Sequence, residues 1–180
     1  VNTGLTSTSI AGLNIDPADP DVLYARTGSG LFITTDGATS WNAFVWEFDD
    51  EIVRSLAIDP ANSDVLYAGT SVAGLQKSTD GGATWNPVNS GLQVYDMWSL
   101  ALDPVNPDCL FTGSGSGVYR SSDACATWLP SRYLGSVYDI AIHPQDSSHV
   151  YAAVHGGVGK STDGGVTWEK IPLSISSYVQ

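Results

Sequence analysis

Short stretches of this chain alternate polar and apolar residues, and the same stretch returns four times. Ser55 to Ile58 alternates and then stops at Asp59-Pro60, where proline cannot continue a ladder. Val65 to Thr70 is rich in β-formers, Val72 to Gly74 supplies a small-residue turn, and Leu75 to Ser78 reads as a third strand. A fourth strand is expected from about Thr84-Trp85. Apolar residues do not recur at helical spacing, and the 19 Gly and 9 Pro fall at joints rather than inside strands. The pattern predicts an all-β chain.

Two features repeat in phase. The first is TTDGATSW (Thr34–Trp41), STDGGATW (Ser78–Trp85), SSDACATW (Ser121–Trp128) and STDGGVTW (Ser161–Trp168). Its aspartates, Asp36, Asp80, Asp123 and Asp163, are 44, 43 and 40 residues apart. The second lies 20 or 21 residues upstream: LNIDPADPDVLYA from Leu13, LAIDPANSDVLYA from Leu56, LALDPVNPDCLFT from Leu100 and IAIHPQDSSHVYA from Ile140. Tandem four-stranded units of this length are blades of a β-propeller. The expected blades are roughly residues 10–45, 52–90, 96–131 and 136–173, forming one propeller segment that belongs to a larger propeller or assembly.

The first feature resembles the Asp-box, or BNR repeat, Ser/Thr-x-Asp-x-Gly-x-Thr-Trp. That motif occurs on propellers of sialidases, xyloglucan-cleaving glycosidases, sortilin-type receptors and photosystem assembly factors. The resemblance spans nearly the whole chain and implies an architecture without selecting an activity.

Each Asp is expected to be structural, accepting bonds from nearby backbone N–H groups in a tight turn. Trp41, Trp85, Trp128 and Trp168 are expected to fill space between layers. No second carboxylate lies two or four residues from these aspartates, so an oxygen cage for calcium is not expected. Two Cys and three scattered His form no metal site of recognisable spacing, and nothing points to a cofactor. The third copy departs from the pattern, with Ala124-Cys125 where others carry Gly-Gly. Cys109 starts the second strand of that unit, which puts both thiols at one end of a blade. A Cys109–Cys125 disulfide is then compatible with strand geometry if the Cα atoms approach within about 7 Å; the alternative is two free thiols.

Composition removes some functions. Asp and Glu outnumber Lys and Arg by 19 to 7, giving a net charge of −12. Such a surface cannot neutralise phosphates, so neither nucleic acid nor an anionic membrane is an expected partner. No run of 18 apolar residues crosses a bilayer. Few lysines and abundant Ser, Thr and Gly fit a secreted or cell-surface setting.

Val1 to Leu5 aligns with Val88 to Leu92, both 15 residues before an Asp-Pro turn, and is expected to be the tail of a preceding outer strand. The resemblance implies closure with six or more blades. Four blades would then leave apolar faces open at both ends, so association with another propeller segment or another copy is expected.

The candidate ligand site is the channel mouth, reached from the variable loops Asn42–Ile52, Asn86–Met97 and Leu129–Val137. One position, five residues before each Asp/His-Pro turn, holds Ala11, Arg54, Trp98 and Tyr138. With Trp46, Asp96 and Asp139 these residues combine aromatic planes and carboxylates, which suit the C–H faces and hydroxyls of sugars.

Enzyme readings fare less well. A sialidase needs an arginine triad, and Arg26 and Arg120 are expected on middle strands away from the mouth. Xyloglucan-cleaving enzymes are closer in sequence, with an implied catalytic Asp after an Ala-Arg-Thr run. Here Ala25-Arg26-Thr27 is followed by Gly28-Ser29-Gly30, without the carboxylate. No Gly-x-Ser-x-Gly elbow accompanies His143, His149 or His155, and Gly113 to Gly117 is a hairpin rather than a phosphate cradle. No catalytic residue is assigned. The expectation is a non-catalytic extracytoplasmic module, binding glycan or protein at the channel face or serving assembly. The alternatives are a glycoside hydrolase fragment acting on xyloglucan or β-glucan, and a structural subunit of a polymeric surface assembly.

Overall fold

The computed structural model describes residues 3–7, 9–28, 30–44, 52–131 and 134–173. These residues form strands and connections only. Sixteen strands make four antiparallel sheets of four, each in simple up-and-down order. The first contains β1 (Ile10–Ile15), β2 (Leu23–Thr27), β3 (Gly30–Thr34) and β4 (Asn42–Ala43). The second contains β5 (Val53–Asp59), β6 (Asn62–Thr70), β7 (Leu75–Ser78) and β8 (Asn86–Pro87). The third runs β9 (Met97–Leu102), β10 (Leu110–Ser114), β11 (Gly117–Ser121) and β12 (Leu129–Pro130). The fourth runs β13 (Val137–Ile142), β14 (Val150–Val154), β15 (Gly157–Ser161) and β16 (Glu169–Pro172). The four sheets are propeller blades, all-β as the alternation predicts. Fourth strands begin just after the tryptophan rather than at it.

The seam between blades explains the repeat. Trp85 belongs to one cluster with Leu56, Ile58 and Leu66 of its own blade and with Tyr24 and Leu31 of the preceding one. Phe44 carries the contact across, edge-on to both Tyr24 and Trp85. Trp128 fills the next seam with Tyr67 and Leu75, and Trp168 the one after with Phe111 and Val118. Their indole N–H groups find acceptors: Trp128 donates to the Val88 carbonyl across the seam at 2.8 Å, and Trp168 donates to Ser131 Oγ at 2.7 Å. Burying an indole therefore leaves no orphaned donor at these seams.

The repeated aspartate ties the turn that delivers each tryptophan. Asp80 Oδ1 accepts from Ser78 Oγ (2.8 Å) and Thr84 N (2.9 Å), while Oδ2 accepts from Thr84 Oγ1 (2.6 Å). Asp36, Asp123 and Asp163 make the same set of contacts. Bonds that favour the ionised form lower these carboxyls. The Ser40 hydroxyl is the main cause at Asp36 and the Thr167 hydroxyl at Asp163, each held at about 2; Thr84 and Thr127 act likewise on Asp80 and Asp123.

These turns require left-handed backbone. Gly82 (φ 88°) and Gly165 (φ 79°) also sit where a Cβ would strike Phe44 and Phe111. In the third turn Ala124 (φ 53°) and Cys125 (φ 72°) adopt the same conformation with side chains attached. Cys125 packs in its seam with Tyr67, and Val88 stands there at the level that Phe44 holds in the preceding seam.

Of the two alternatives left open for Cys109 and Cys125, the structure holds the second: both thiols are free and buried. Cys109 faces the seam with the fourth blade and Cys125 the seam with the second. Sharing one end of a blade is not enough when the side chains lie on opposite faces of the sheet. Burial raises both thiols, Cys125 to about 12.

Candidate functional site at the channel mouth

Each first strand carries a β-bulge at the same place, and β5 has a second irregularity at its end, between Ile58 and Asp59. Pairing skips a residue between Ile10 and Gly12, Val53 and Ser55, and Val137 and Asp139, and in the third blade between Met97 and Ser99. The skipped residues are Ala11, Arg54, Trp98 and Tyr138. A bulge leaves its extra residue out of the ladder and re-aims the side chain. The variable position in the sequence thus coincides with a backbone kink, and in three blades its residue, Arg54, Trp98 or Tyr138, lines the cleft at the mouth.

There the structure brings together most of the candidate residues. Trp98 and Tyr138 stack with ring centroids 5.7 Å apart and planes 14° from parallel. Asp96 Oδ2 accepts from Trp98 Nε1 at 2.8 Å, which fixes the indole. Arg54 Nε stands 2.6 Å from Asp96 Oδ1, a charge contact rather than a directed hydrogen bond, since that oxygen has no well-aligned donor. Both partners are partly exposed, so the pair organises the site more than it stabilises the fold. Trp46 lies outside the described residues, as do Arg132 and Tyr133.

A polar cleft of about 260 Å³ lies below this cluster, lined by all four first strands: Asn14 from β1, Arg54 and Ser55 from β5, Trp98 and Ser99 from β9, Tyr138 and Asp139 from β13. Ser55 and Ser99 are more than nine-tenths buried, and neither hydroxyl has a hydrogen-bond partner. The Asn14 side-chain oxygen is also unpartnered, while its amide donates to the Leu56 carbonyl at 2.9 Å. Unmet polar groups on residues that line one cleft mark a place for a polar ligand or water.

Arg26 was expected away from the mouth; instead it lines the cleft and donates to the Arg54 carbonyl. Its blade partner is Gly12, where any Cβ would meet the guanidinium. Burial lowers its pKa. Two signals were present in the sequence: the Gly opposite Arg26, and the Gly69, Gly113 and Ala153 that occupy Arg26's place in the other blades. Ser55 and Ser99 escaped notice because a strand serine has no distinguishing pattern. Among the described residues no group of His, Cys, Asp and Glu could hold a metal ion. No described helix is long and apolar enough to cross a membrane.

Fold and cleft together define the class, a β-propeller segment with a polar, aromatic-rimmed channel mouth. No protein-family model matches the chain, and no curated protein matches it in sequence. Solved structures do match in fold. An ancestral GH74 enzyme superposes with a TM-score of 0.80 at 22% identity, over 96% of this chain and 25% of that one. The GH74 xyloglucanase from Xanthomonas campestris gives 0.72 at 20% identity, over 98% and 31%. YCF48 from Cyanidioschyzon merolae gives 0.73 at 16% identity, over 97% and 60%. The chain therefore spans a quarter to three fifths of the propeller proteins it resembles, and the likeness is one of fold.

Proposed function

We propose that the chain is a non-catalytic binding module of Asp-box type that takes a neutral, polyhydroxylated ligand, a glycan, at the channel mouth. The observation that carries this reading is the Trp98–Tyr138 stack standing beside Arg54–Asp96 and above the unpartnered Ser55 and Ser99 hydroxyls. Aromatic faces suit sugar C–H surfaces, and buried hydroxyls suit sugar hydroxyls. Arg54 is paired with Asp96, and Arg26 and Asp139 both line the cleft, so positive and negative groups balance in number and a charged ligand gains little. The extracytoplasmic part of the reading rests on composition, and two free thiols lend it no support. Joined to further blades, the module would serve a larger propeller.

Titration with a panel of β-glucan and xyloglucan oligosaccharides, followed by calorimetry and tryptophan fluorescence, tests this. Binding should appear in the native chain and weaken at least tenfold in Trp98→Ala, roughly the loss of one good stacking contact. No binding by the native chain to any member of the panel would remove the reading.

The likeness in fold to GH74 enzymes supports a second reading, a fragment of a glycosidase. Such hydrolysis needs two opposed carboxyl groups. Asp139 lines the cleft, while Asp96 is engaged by Arg54 and Trp98. Release of reducing ends by the native chain, abolished in Asp139→Asn, would replace the binding reading with this one.

A further inference from the structure

The two end blades expose the two halves of a seam. On the first blade, Ile10, Leu13 and Ile15 are exposed, although their counterparts Val53, Leu56 and Ile58 are buried against the preceding blade. On the last blade, Tyr151 and Val158 are 38% and 36% exposed, although Tyr67 and Leu75, at the same register, are 2% and 1% exposed. Ile171, at the level of Phe44 and Val88, is also open. Each open face is thus chemically the partner of the other: within the chain, Leu56-type faces pack on Tyr67-type faces three times over.

One further contact shows that the first blade is prepared for a neighbour. In the internal seam the Ser90 carbonyl accepts from Trp128 N at 2.8 Å, and Gly91 (φ 91°) lets the backbone pass close to the Trp128 carbonyl. Thr3 does the same for Trp41 at 2.8 Å, and Gly4 (φ 87°) passes close to the Trp41 carbonyl. The short segment that seals the outer end of a seam is therefore already in place on the first blade. What that seam lacks is a sheet bearing an aromatic ring, a branched aliphatic residue and small residues at fixed levels. The last blade carries that set as Tyr151, Val158, Ala141 and Ala153.

We infer that two copies of this chain dock head to tail, with the Tyr151 face of one copy seated on the Leu13 face of the next. The contact is heterologous, so neither face pairs with itself, and it closes if the rotation between copies suits a ring. It is apolar and must act against the repulsion of two chains of net charge −12. Added salt should then strengthen the association by screening. This inference is independent of the ligand site, because neither Leu13 nor Tyr151 lines the cleft.

Light scattering and sedimentation of the native chain, from low to high micromolar concentration, should show mass rising above 18.9 kDa with concentration and salt. Leu13→Asp and Tyr151→Asp should each remain at monomer mass. Mixing the two variants should restore a complex, since one carries an intact Tyr151 face and the other an intact Leu13 face. A native chain that stays monomeric throughout overturns the inference. So does a result in which only one variant dissociates, or in which the mixture fails to associate, because either means that the faces do not pair with each other. Both positions are exposed, and far-ultraviolet circular dichroism checks the fold; Ile15→Asp with Val158→Asp repeats the test if either variant misfolds.

Discussion

Leu56 and Leu13 occupy the same place in the repeat, yet Leu56 is 4% exposed and Leu13 60%. The local sequences are nearly identical, LAIDP against LNIDP, and both residues lie on first strands with the same bulge. What differs is whether another blade stands opposite. Apolar patterning thus marks a face as intended for burial, while the neighbour determines whether it is buried. In a repeat architecture each unit contributes one half of two interfaces, and stability comes from the completed ones.

The largest expected effect breaks the comparison directly. Leu56→Ala should cost about 2–5 kcal/mol in urea unfolding, the range for a cavity in a packed core, while Leu13→Ala should cost less than about 0.5 kcal/mol under dilute conditions. Equal losses at the two positions would mean that the first blade is covered in solution. A smaller effect concerns the third turn, where two residues with side chains hold left-handed backbone. Ala124→Gly should raise stability by up to about 1 kcal/mol by relieving that conformation. Cys125→Gly should give no comparable gain, because the thiol fills space in the seam beside Tyr67 and Val88. Thermal unfolding of the two variants checks this pair.

The smallest effect should not distinguish inner from outer regions at all. The aspartate turn is local, and Asp36 in the first blade and Asp163 in the last are both held at about 2. Their folded pKa lies below the ordinary value near ~3.9, so their stabilisation is present above that value and is lost as pH falls toward 2. Asp36→Asn and Asp163→Asn should each lower the melting temperature at neutral pH. The gap to the native chain should narrow as the solution is acidified, and by a similar amount in both variants. Melting curves between neutral and acid pH provide the measurement.

Much of the candidate site could be read in advance because it lay at one fixed offset. Arg54, Trp98 and Tyr138 stood out by differing where neighbouring residues agreed, and the bulge supplies the reason for that freedom. Arg26 was misplaced because register assigns a residue to a strand but not the reach of a long side chain over a facing glycine. The state of the two cysteines was left open for a related reason. Proximity along the blade could be inferred, but the face each thiol took depended on a turn whose backbone is left-handed at Cys125 itself.

The sequence by itself determined the strands, the turns and their period, because those depend on residues close along the chain: alternation, proline after aspartate, and a carboxylate four residues from the hydroxyl that binds it. It also marked which faces would be apolar. Only the tertiary structure decided that four bulged strands converge on one cleft, that Ser55 and Ser99 line it with unpartnered hydroxyls, and that Leu13 and Tyr151 remain uncovered. Those outcomes depend on which blade stands beside which, a relation between residues some forty positions apart that no local pattern encodes.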